Sequence, residues 1–279
     1  MNPELIRLLT LGWKLPTQDT DGIFTPLKIS EDKISFPSEN YTGEEANPEA
    51  DGFWAEVRAK SIWNLLHAHG VSTLWEIGAG NGNAAIPLRK QGIEVLPIEP
   101  LRSGALTLTK NGFTTFQATL ESLNFPDNSI GAIGAFDVIE HLENPNELMD
   151  EVYRILKAGG MFICSVPAYQ WLFSDFDKSI GHYRRYSRKS LRELVESTGL
   201  EVVSVLSLFS YLVLPAYVLR RIPFLLGWKN NYSQIPTSSG GNSQILDRLR
   251  PFFGFLGRLE RLVEPPFGLS IILISKKSN

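Results

Sequence analysis

The sequence predicts an α/β protein on a doubly wound, mostly parallel sheet of seven strands, with a helical insertion between the last two. Three observations lead there. Short apolar runs alternate with single helical patterns from residue 51 onward, the order that yields parallel strands covered on both faces. A glycine-rich loop joins the first of these strands to a helix. The 279 residues are 43% hydrophobic and 20% charged, enough apolar material for a sizeable core, which excludes disordered, collagenous and coiled-coil classes.

Residues 1–50 scatter Pro, Gly, Asp and Asn without a sustained period and read as an irregular arm, leaving 51–279 as the domain proper. From Asp51, the residues Trp54, Val57, Ile62, Leu65 and Leu66 recur at helical spacing until Gly70 stops them. Val71–Ile77 is the first strand, followed by a helix over Asn83–Gln91. Ile93–Ile98 is the second, with a helix near Ser103–Asn111, and Phe113–Ala118 and Ser129–Phe136 are the third and fourth. Asn146–Leu156 is a helix closed by Lys157-Ala158-Gly159-Gly160, and Met161–Val166 is the fifth strand. Ser187 caps a helix over Ser187–Ser197 that Gly199 ends. Leu200–Leu206 and Leu269–Ile274 complete the seven. Between them, 209–266 is far longer than an ordinary connection, aromatic and apolar with a Ser/Gly-rich middle at Pro236–Gly241.

The net charge of −3 supplies no overall basic field, so nucleic acid is not the expected partner. A single cysteine, Cys164, excludes a disulfide framework and an all-cysteine metal site. Val202–Leu219 has eighteen residues without a charge, long enough to suggest a membrane span. Its first part belongs to a strand, however, and three serines and Pro215 interrupt the rest. The start, MNPELIRLLTLGWKLP, lacks a basic leader before its apolar run. The expected location is the cytoplasm, with peripheral membrane contact through the insertion.

The glycine loop reads Trp75-Glu76-Ile77-Gly78-Ala79-Gly80-Asn81-Gly82-Asn83. A dinucleotide fingerprint needs glycine at its first, third and sixth positions, and the sixth here is Asn83. An acid just before the loop would repel a pyrophosphate but suits a ligand carrying an amino group and a sulfonium. Glu-x-Gly-x-Gly-x-Gly after the first strand resembles motif I of the class I S-adenosylmethionine-dependent methyltransferases. Three further stretches match that family in order: Val95–Glu99, Thr119–Asp127 and Phe136–His141. The resemblance covers about 51–199 and is nearest to the type 11 and ubiquinone-pathway O-methyltransferases. It implies a Rossmann-like methyltransferase fold and an enzyme that moves a methyl group from S-adenosyl-L-methionine, leaving S-adenosyl-L-homocysteine. The implied acceptor is an oxygen or nitrogen on a small or lipid-linked molecule.

The same resemblance assigns cofactor-binding residues. Glu76, Gly78, Ala79, Gly80 and Gly82 form the loop around the cofactor, and Glu99, followed by Pro100, holds the ribose hydroxyls. Thr119 and Leu120 lie on the adenine side; the family often has an acid at Thr119, so here that contact passes to the hydroxyl or to backbone. Phe136, Asp137 and Ile139 line the methyl-donor pocket. Before motif I, Phe53-Trp54 and Arg58 match an aromatic/arginine pair that related enzymes place over the methionine end. The alternative is that Trp54 is core and Arg58 a solvated charge.

Methyl transfer from a sulfonium is an in-line displacement, so the protein must supply alignment and, for an oxygen or nitrogen acceptor, a base. Of four histidines, His67 and His69 sit at a helix end and should face solvent. His141 and His182 leave the carboxyl edge of the sheet, where such folds bind ligands, and are the catalytic candidates. Their loops should converge. Asp137, Glu140 and His141 at i, i+3 and i+4, with His182, also form an oxygen/nitrogen set able to hold a divalent metal. The small-RNA 3′-end 2′-O-methyltransferases carry Glu, Glu, His and His there. In a third reading Glu140 caps a helix and His141 packs on the cofactor pocket. The role assigned is general base, with no metal. Arg184, Arg185, Arg188 and Lys189 form a basic run, either a solvated helix start or a receiver of phosphate or carboxylate. In the insertion, Phe209, Tyr211, Leu214, Tyr217, Phe224, Leu225 and Trp228, with a second helix over Ser243–Val263, read as a lid giving the acceptor an apolar wall. Two alternatives stand beside this: a metal-assisted RNA 2′-O-methyltransferase, and a non-catalytic S-adenosylmethionine-binding protein.

Overall fold

The computed structural model describes residues 2–27, 52–227, 255–257, 259–260, 263 and 265–278. Among them a six-stranded sheet is formed by β1 Thr73–Ile77, β2 Glu94–Ile98, β3 Ile130–Phe136, β4 Leu156–Pro167, β5 Leu200–Leu208 and β6 Ser270–Lys277. Across the sheet the order is β2-β1-β3-β4-β6-β5. β1 to β4 are parallel, and β6 runs antiparallel between β4 and β5. The covering helices are α1 Pro3–Thr10, α2 Gly52–Ala68, α3 Ala85–Lys90, α4 Arg102–Lys110, α5 Pro145–Ile155, α6 Asp175–Ser179 and α7 Arg188–Glu196. After β5 come α8 Val213–Ala216, a π turn at Tyr217–Arg221 and α9 Ile222–Leu225.

The sheet is doubly wound, as its side-chain alternation requires. Trp75, Phe162, Cys164 and Leu273 join one core with α1, α5 and α7, while Leu74, Ile163, Ile272 and Ile274 join the other with α2, α3 and α4. The expected third strand does not form. Phe113–Ala118 instead lies along β2 through a single parallel bridge, Ile98 to Phe116. Phe116 N donates to Pro97 O at 2.9 Å and Glu99 N donates to Phe116 O at 2.9 Å. Pro97 has no N–H to give to this edge, so the ladder cannot continue backward from that bridge. The outer side of the segment is taken by the arm: Phe24 N donates to Thr115 O and Gln117 N to Phe24 O.

The first residues are more ordered than their composition suggests. The Asn2 side chain accepts from Glu4 N and Leu5 N, Pro3 occupies the first turn, and α1 follows. Leu5, Leu8 and Trp13 are buried in the main core, where Trp13 stacks on Phe125 with ring centroids 5.0 Å apart. Residues 28–51 lie outside the described residues, as do the side chains of Phe53 and Trp54.

The Val202–Leu219 stretch divides between the end of β5 and the turns that follow it. No helix of the described residues is long and apolar enough to cross a membrane. Trp228, Pro236–Gly241 and most of the expected Ser243–Val263 helix fall outside the described residues. What is described of that helix packs on the body. A Cβ at Gly257 would lie 2.8 Å from Val57 Cγ2 on α2, and buried Glu260 accepts from Phe209 N at 2.7 Å.

Candidate functional site

The glycine loop leaves β1 at the carboxyl edge of the sheet. Gly78, Gly80 and Gly82 all adopt positive φ (62°, 57° and 92°), which side chains rarely adopt. Gly78 is also needed for space, because a Cβ there would meet Val138 Cγ2 at 2.7 Å. Its N–H donates to Ile98 O at 2.8 Å, tying the loop to β2, while Ala79 packs into the second core.

Glu76 is the last residue but one of β1 and Glu99 follows β2, each only 2% exposed. Glu99 Oε2 accepts from Gly80 N at 2.7 Å and its Oε1 from Leu101 N at 2.8 Å, so the carboxylate pins the loop to the start of α4. Each oxygen keeps a second lone-pair direction for a hydroxyl donor. Glu76 Oε2 has no hydrogen-bond partner among the described residues. An orphaned buried acceptor beside a positive-φ glycine loop fits a ligand that brings an ammonium group. Pro100 is half-buried behind Glu99.

Burial pushes Glu76 up to about 8, with Arg58 pulling it down and Glu99 adding to the rise. Burial likewise pushes Glu99 up to about 7, against the N–H groups of Leu101 and Gly80. Both carboxyls therefore hold protons in the fold that the unfolded chain has already released above its ordinary 4.5. Their contribution to stability is full below the unfolded value and is lost as pH rises through 7 and 8. The ligand-free protein should melt at a lower temperature at pH 9 than at pH 6.5, by scanning calorimetry at constant salt. An equal or higher melting temperature at pH 9 would show that the two groups are solvated.

Gly104, on α4, closes this region. A Cβ there would lie 2.8 Å from Glu99 Cγ and 2.9 Å from Gly80 O. Because a backbone oxygen cannot swing aside, Gly104→Ala should cost about 1–3 kcal/mol in urea unfolding, the usual penalty for overpacking. Nothing in the sequence marked Gly104 as different from other glycines.

In the loop expected on the adenine side, Thr119 N donates to Ser122 Oγ at 3.1 Å and Ser122 Oγ donates back to Thr119 O at 2.8 Å. That leaves the hydroxyl as the group Thr119 can offer. Leu120 is buried in the main core, as is Ile139, so their side chains serve packing and only their backbone can reach a ligand. Phe136 is buried at the end of β3.

Asp137 departs from expectation. Its φ is 56°, and the 3₁₀ turn Ile139–His141 begins two residues later, so Asp137 does not share one helical turn with Glu140 and His141. Its carboxylate pairs with Arg58 and accepts from Ser165 Oγ at 3.1 Å. Arg58 is therefore fastened at the end of β3, not a solvated charge.

The two candidate histidines do converge. Their ring centroids are 4.6 Å apart with the planes at 78°. Glu140 lies beside them, fully buried, and the donor atoms of Glu140, His141 and His182 all fall within 4.8 Å of one another. Burial, reinforced by Asp137, holds the Glu140 carboxyl well above the usual carboxylate range. Burial and the neighbouring His182 lower His141 to about 4, with the Gly181 carbonyl and Asp137 opposing, so His141 is neutral near pH 7. His141 Nδ1 lies 3.2 Å from Gly181 O, and because a carbonyl only accepts, that nitrogen carries the proton. His67 and His69 are exposed, as expected.

His182 is set by Asp177, which the sequence reading missed. Ser174 and Asp177 form a capping box at the start of α6, with Asp177 Oδ2 accepting from Ser174 N at 2.9 Å. Asp177 Oδ1 accepts from His182 Nδ1 at 3.0 Å and from Arg185 Nε at 2.6 Å. Burial would raise this carboxyl, but the hydrogen bonds and charge of His182 and Arg185 outweigh it and hold it below the usual range. The Ser-x-x-Asp spacing was the available signal. The basic run is dispersed: Arg185 is buried on Asp177, Arg184 reaches Glu143 O, Arg188 reaches Val205 O, and exposed Lys189 lies near Glu193.

Comparison with known proteins identifies the family. Residues 53–205 match the methyltransferase-domain family. A "Probable S-adenosylmethionine-dependent methyltransferase" of Mycolicibacterium smegmatis is 34% identical over 92 residues, covering 32% of this chain and 36% of that protein. An "Uncharacterized methyltransferase" of Mycobacterium avium is 25% identical over 137 residues, covering 47% and 54%. The chain thus spans about half or less of the length of these curated relatives. Among solved structures, the methyltransferase bound to the Haloferax volcanii Trm112 methyltransferase activator superposes with a TM-score of 0.50 at 19% identity, covering 81% of this chain and 96% of that one. A Galdieria sulphuraria protein described as a sarcosine dimethylglycine methyltransferase gives 0.52 at 15% identity, covering 79% and 85%. These two likenesses concern the fold alone. With the matched segment exceeding half of its length, the chain belongs to the methyltransferase-domain family, that of the class I S-adenosylmethionine-dependent methyltransferases.

Proposed function

We propose that the protein is a methyltransferase that takes its methyl group from S-adenosylmethionine and places it on an oxygen or nitrogen of a small or lipid-linked acceptor with an apolar portion. The observation that carries this reading is the pair of buried carboxylates, Glu76 and Glu99, held around a positive-φ glycine loop. When bound, the cofactor supplies a methyl group already activated on a positively charged sulfur. Glu76 would take its ammonium, Glu99 its ribose hydroxyls, and Thr119 with the Leu120 backbone its adenine side. The acceptor's proton must then leave, and the Glu140–His141–His182 cluster is the group of side chains suited to handle it.

The apolar portion is inferred from an open hollow of about 360 Å³ lined by Trp171, Ser210, Val213, Leu214, Tyr217 and Phe267. Trp171 precedes Ser174 and Asp177 on the same segment, and Arg221 Nη1 ties the π turn to Phe173 O at 2.7 Å. The hollow is thus mechanically joined to the residues that set His182. Exposed Leu214, Val218, Leu225 and Leu226 nearby favour peripheral contact with a membrane surface.

The test is calorimetric titration with S-adenosylmethionine, followed by methyl transfer to acceptors that differ only in alkyl length. Binding should tighten as pH rises from 6.5 to 8.5, because the ligand's ammonium favours the ionised form of Glu76. Trp171→Ala should raise KM for long-chain acceptors about tenfold while leaving cofactor affinity unchanged, the loss expected for one buried ring contact. Absence of heat with S-adenosylmethionine would end the reading. Equal KM for short and long acceptors would end the apolar-acceptor part of it.

A further inference from the structure

We infer that Glu140 and His182 together receive a protonated amine, which makes a primary amine the acceptor class of this methyltransferase. The inference rests on the function proposed above for its use, though not for its binding.

The first observation is the carboxyl. Glu140 is fully buried, yet neither of its oxygens accepts a hydrogen bond among the described residues. Buried polar atoms in native proteins are satisfied with few exceptions, and those exceptions need a reason. The neighbouring charges do not supply one. Asp137 is paired with Arg58 and Asp177 with Arg185, so the two guanidinium groups that act on Glu140 already have carboxylates of their own. Glu140 is the acid left over, and a ligand that brings one positive charge balances it. The same union of burial with an orphaned oxygen marks Glu76, where the cofactor's own ammonium is expected.

The second observation is what stands opposite that carboxyl. His182 Nδ1 donates to Asp177 Oδ1 at 3.0 Å, so in the neutral ring the lone pair lies on Nε2. Nε2 is 3.9 Å from Glu140 Oε1. A nitrogen at about 2.8 Å from each, the length of a charge-assisted hydrogen bond, bridges that gap. A primary ammonium has a donor for each of these atoms and a third for the other Glu140 oxygen. A hydroxyl has one donor and leaves the remaining acceptors orphaned. His141 adds no repelling charge: burial and His182 lower it to about 4, and its ring stands edge-on to His182. Tyr183 N donates to Glu140 O at 2.9 Å, which fixes the loop carrying His182 to the turn carrying Glu140. Half-buried His141 and His182 bring the cluster to the surface.

For transfer, the bound ammonium gives one proton to His182 Nε2. The freed nitrogen pair forms a bond to the methyl carbon as that carbon's bond to sulfur breaks, its electrons staying with sulfur. The positive charge passes to the methylated nitrogen, and the proton on His182 leaves to solvent.

The experiment titrates the full chain by calorimetry with octylamine and separately with 1-octanol, probes of equal chain length that differ in the head group. Octylamine should bind at one equivalent and at least about tenfold more tightly than octanol, the scale of one hydrogen bond to a charged group. Glu140→Gln keeps the shape, should fold normally by its melting temperature, and should lose that preference. EDTA should change neither titration. With S-adenosylmethionine present, mass spectrometry should find the added methyl group on octylamine and not on octanol. Octanol bound as tightly as octylamine, an undiminished preference in Glu140→Gln, or loss of amine binding in EDTA would each overturn the site, the last by giving the cluster to a metal. The wild-type comparison of the two probes decides the matter even where the variant fails to fold. Titration with S-adenosylmethionine reports separately: heat there with none from octylamine overturns the amine site alone, whereas no heat there overturns the function proposed above.

Discussion

Asp177→Ala is expected to destabilise the protein by about 3–5 kcal/mol, measured by urea unfolding, because it strands a buried charge. Asp177 is fully buried, and Arg185 and His182 beside it expose only 7% and 8% of their side chains. With the carboxylate gone, the Arg185 guanidinium loses its bonded partner in a place water does not reach freely. The Ser174 N–H and hydroxyl lose their acceptor at the same time, opening the capping box of α6. Asp177→Asn separates the two contributions: it keeps the shape and can still accept from one donor, but leaves Arg185 uncompensated. A loss below about 1 kcal/mol for Asp177→Ala, the scale of a single ordinary hydrogen bond, would mean that Arg185 turns out to solvent.

Glu99→Ala should weaken S-adenosylmethionine binding by about 1.5–3 kcal/mol, the range for hydrogen bonds to a charged group, or roughly 10- to 150-fold in Kd. The substitution removes the ribose acceptor and also releases the Gly80 and Leu101 N–H groups that the carboxylate holds. Glu99→Gln retains one acceptor oxygen but points an amide N–H₂ at one of those two donors, so it should fall between wild type and alanine. Calorimetric titration of the three proteins at one pH decides this. Unchanged affinity in the alanine variant would remove Glu99 from the ribose site and leave the glycine loop to carry the assignment.

Much of this architecture was legible because its signals are local or topological. Glu76 and Glu99 are marked by acids at strand ends beside glycines, and their burial follows from the sheet around them. The meeting of His141 and His182 follows from two loops leaving one sheet edge, which chain order alone predicts. Other features depend on groups that sequence periodicity does not register. A missing N–H at Pro97 reduces an apolar run at 113–118 to one bridge. The left-handed backbone of Asp137 cannot be read from an aspartate, and its carboxylate pairs with Arg58. The partners of Asp177 lie five and eight residues onward around a turn, a spacing that is neither helical nor extended. For α1 the cue was present, since Asn2-Pro3 is a cap followed by a first-turn proline, but eight residues are too few for a period to stand out.

The placement of β6 has a consequence for how the chain is made. Among the described residues β6 is the last strand in sequence, yet it occupies an interior position, and β5 pairs with no other strand of them. The Ser275 hydroxyl reaches Phe162 O across 113 residues of chain. During vectorial synthesis β5 therefore emerges before β6, its partner among the described strands, while β4 offers an open edge where β6 will later sit. Until the ribosome has delivered β6, the nascent chain carries unpaired strand edges on both β4 and β5, the feature most prone to pairing with another molecule. The first half of the sheet can assemble as it is translated, but closure waits for the last strand to slot in from the far end. Arrest of translation before that point should give nascent chains that depend on chaperones and are easily cleaved by protease after β4.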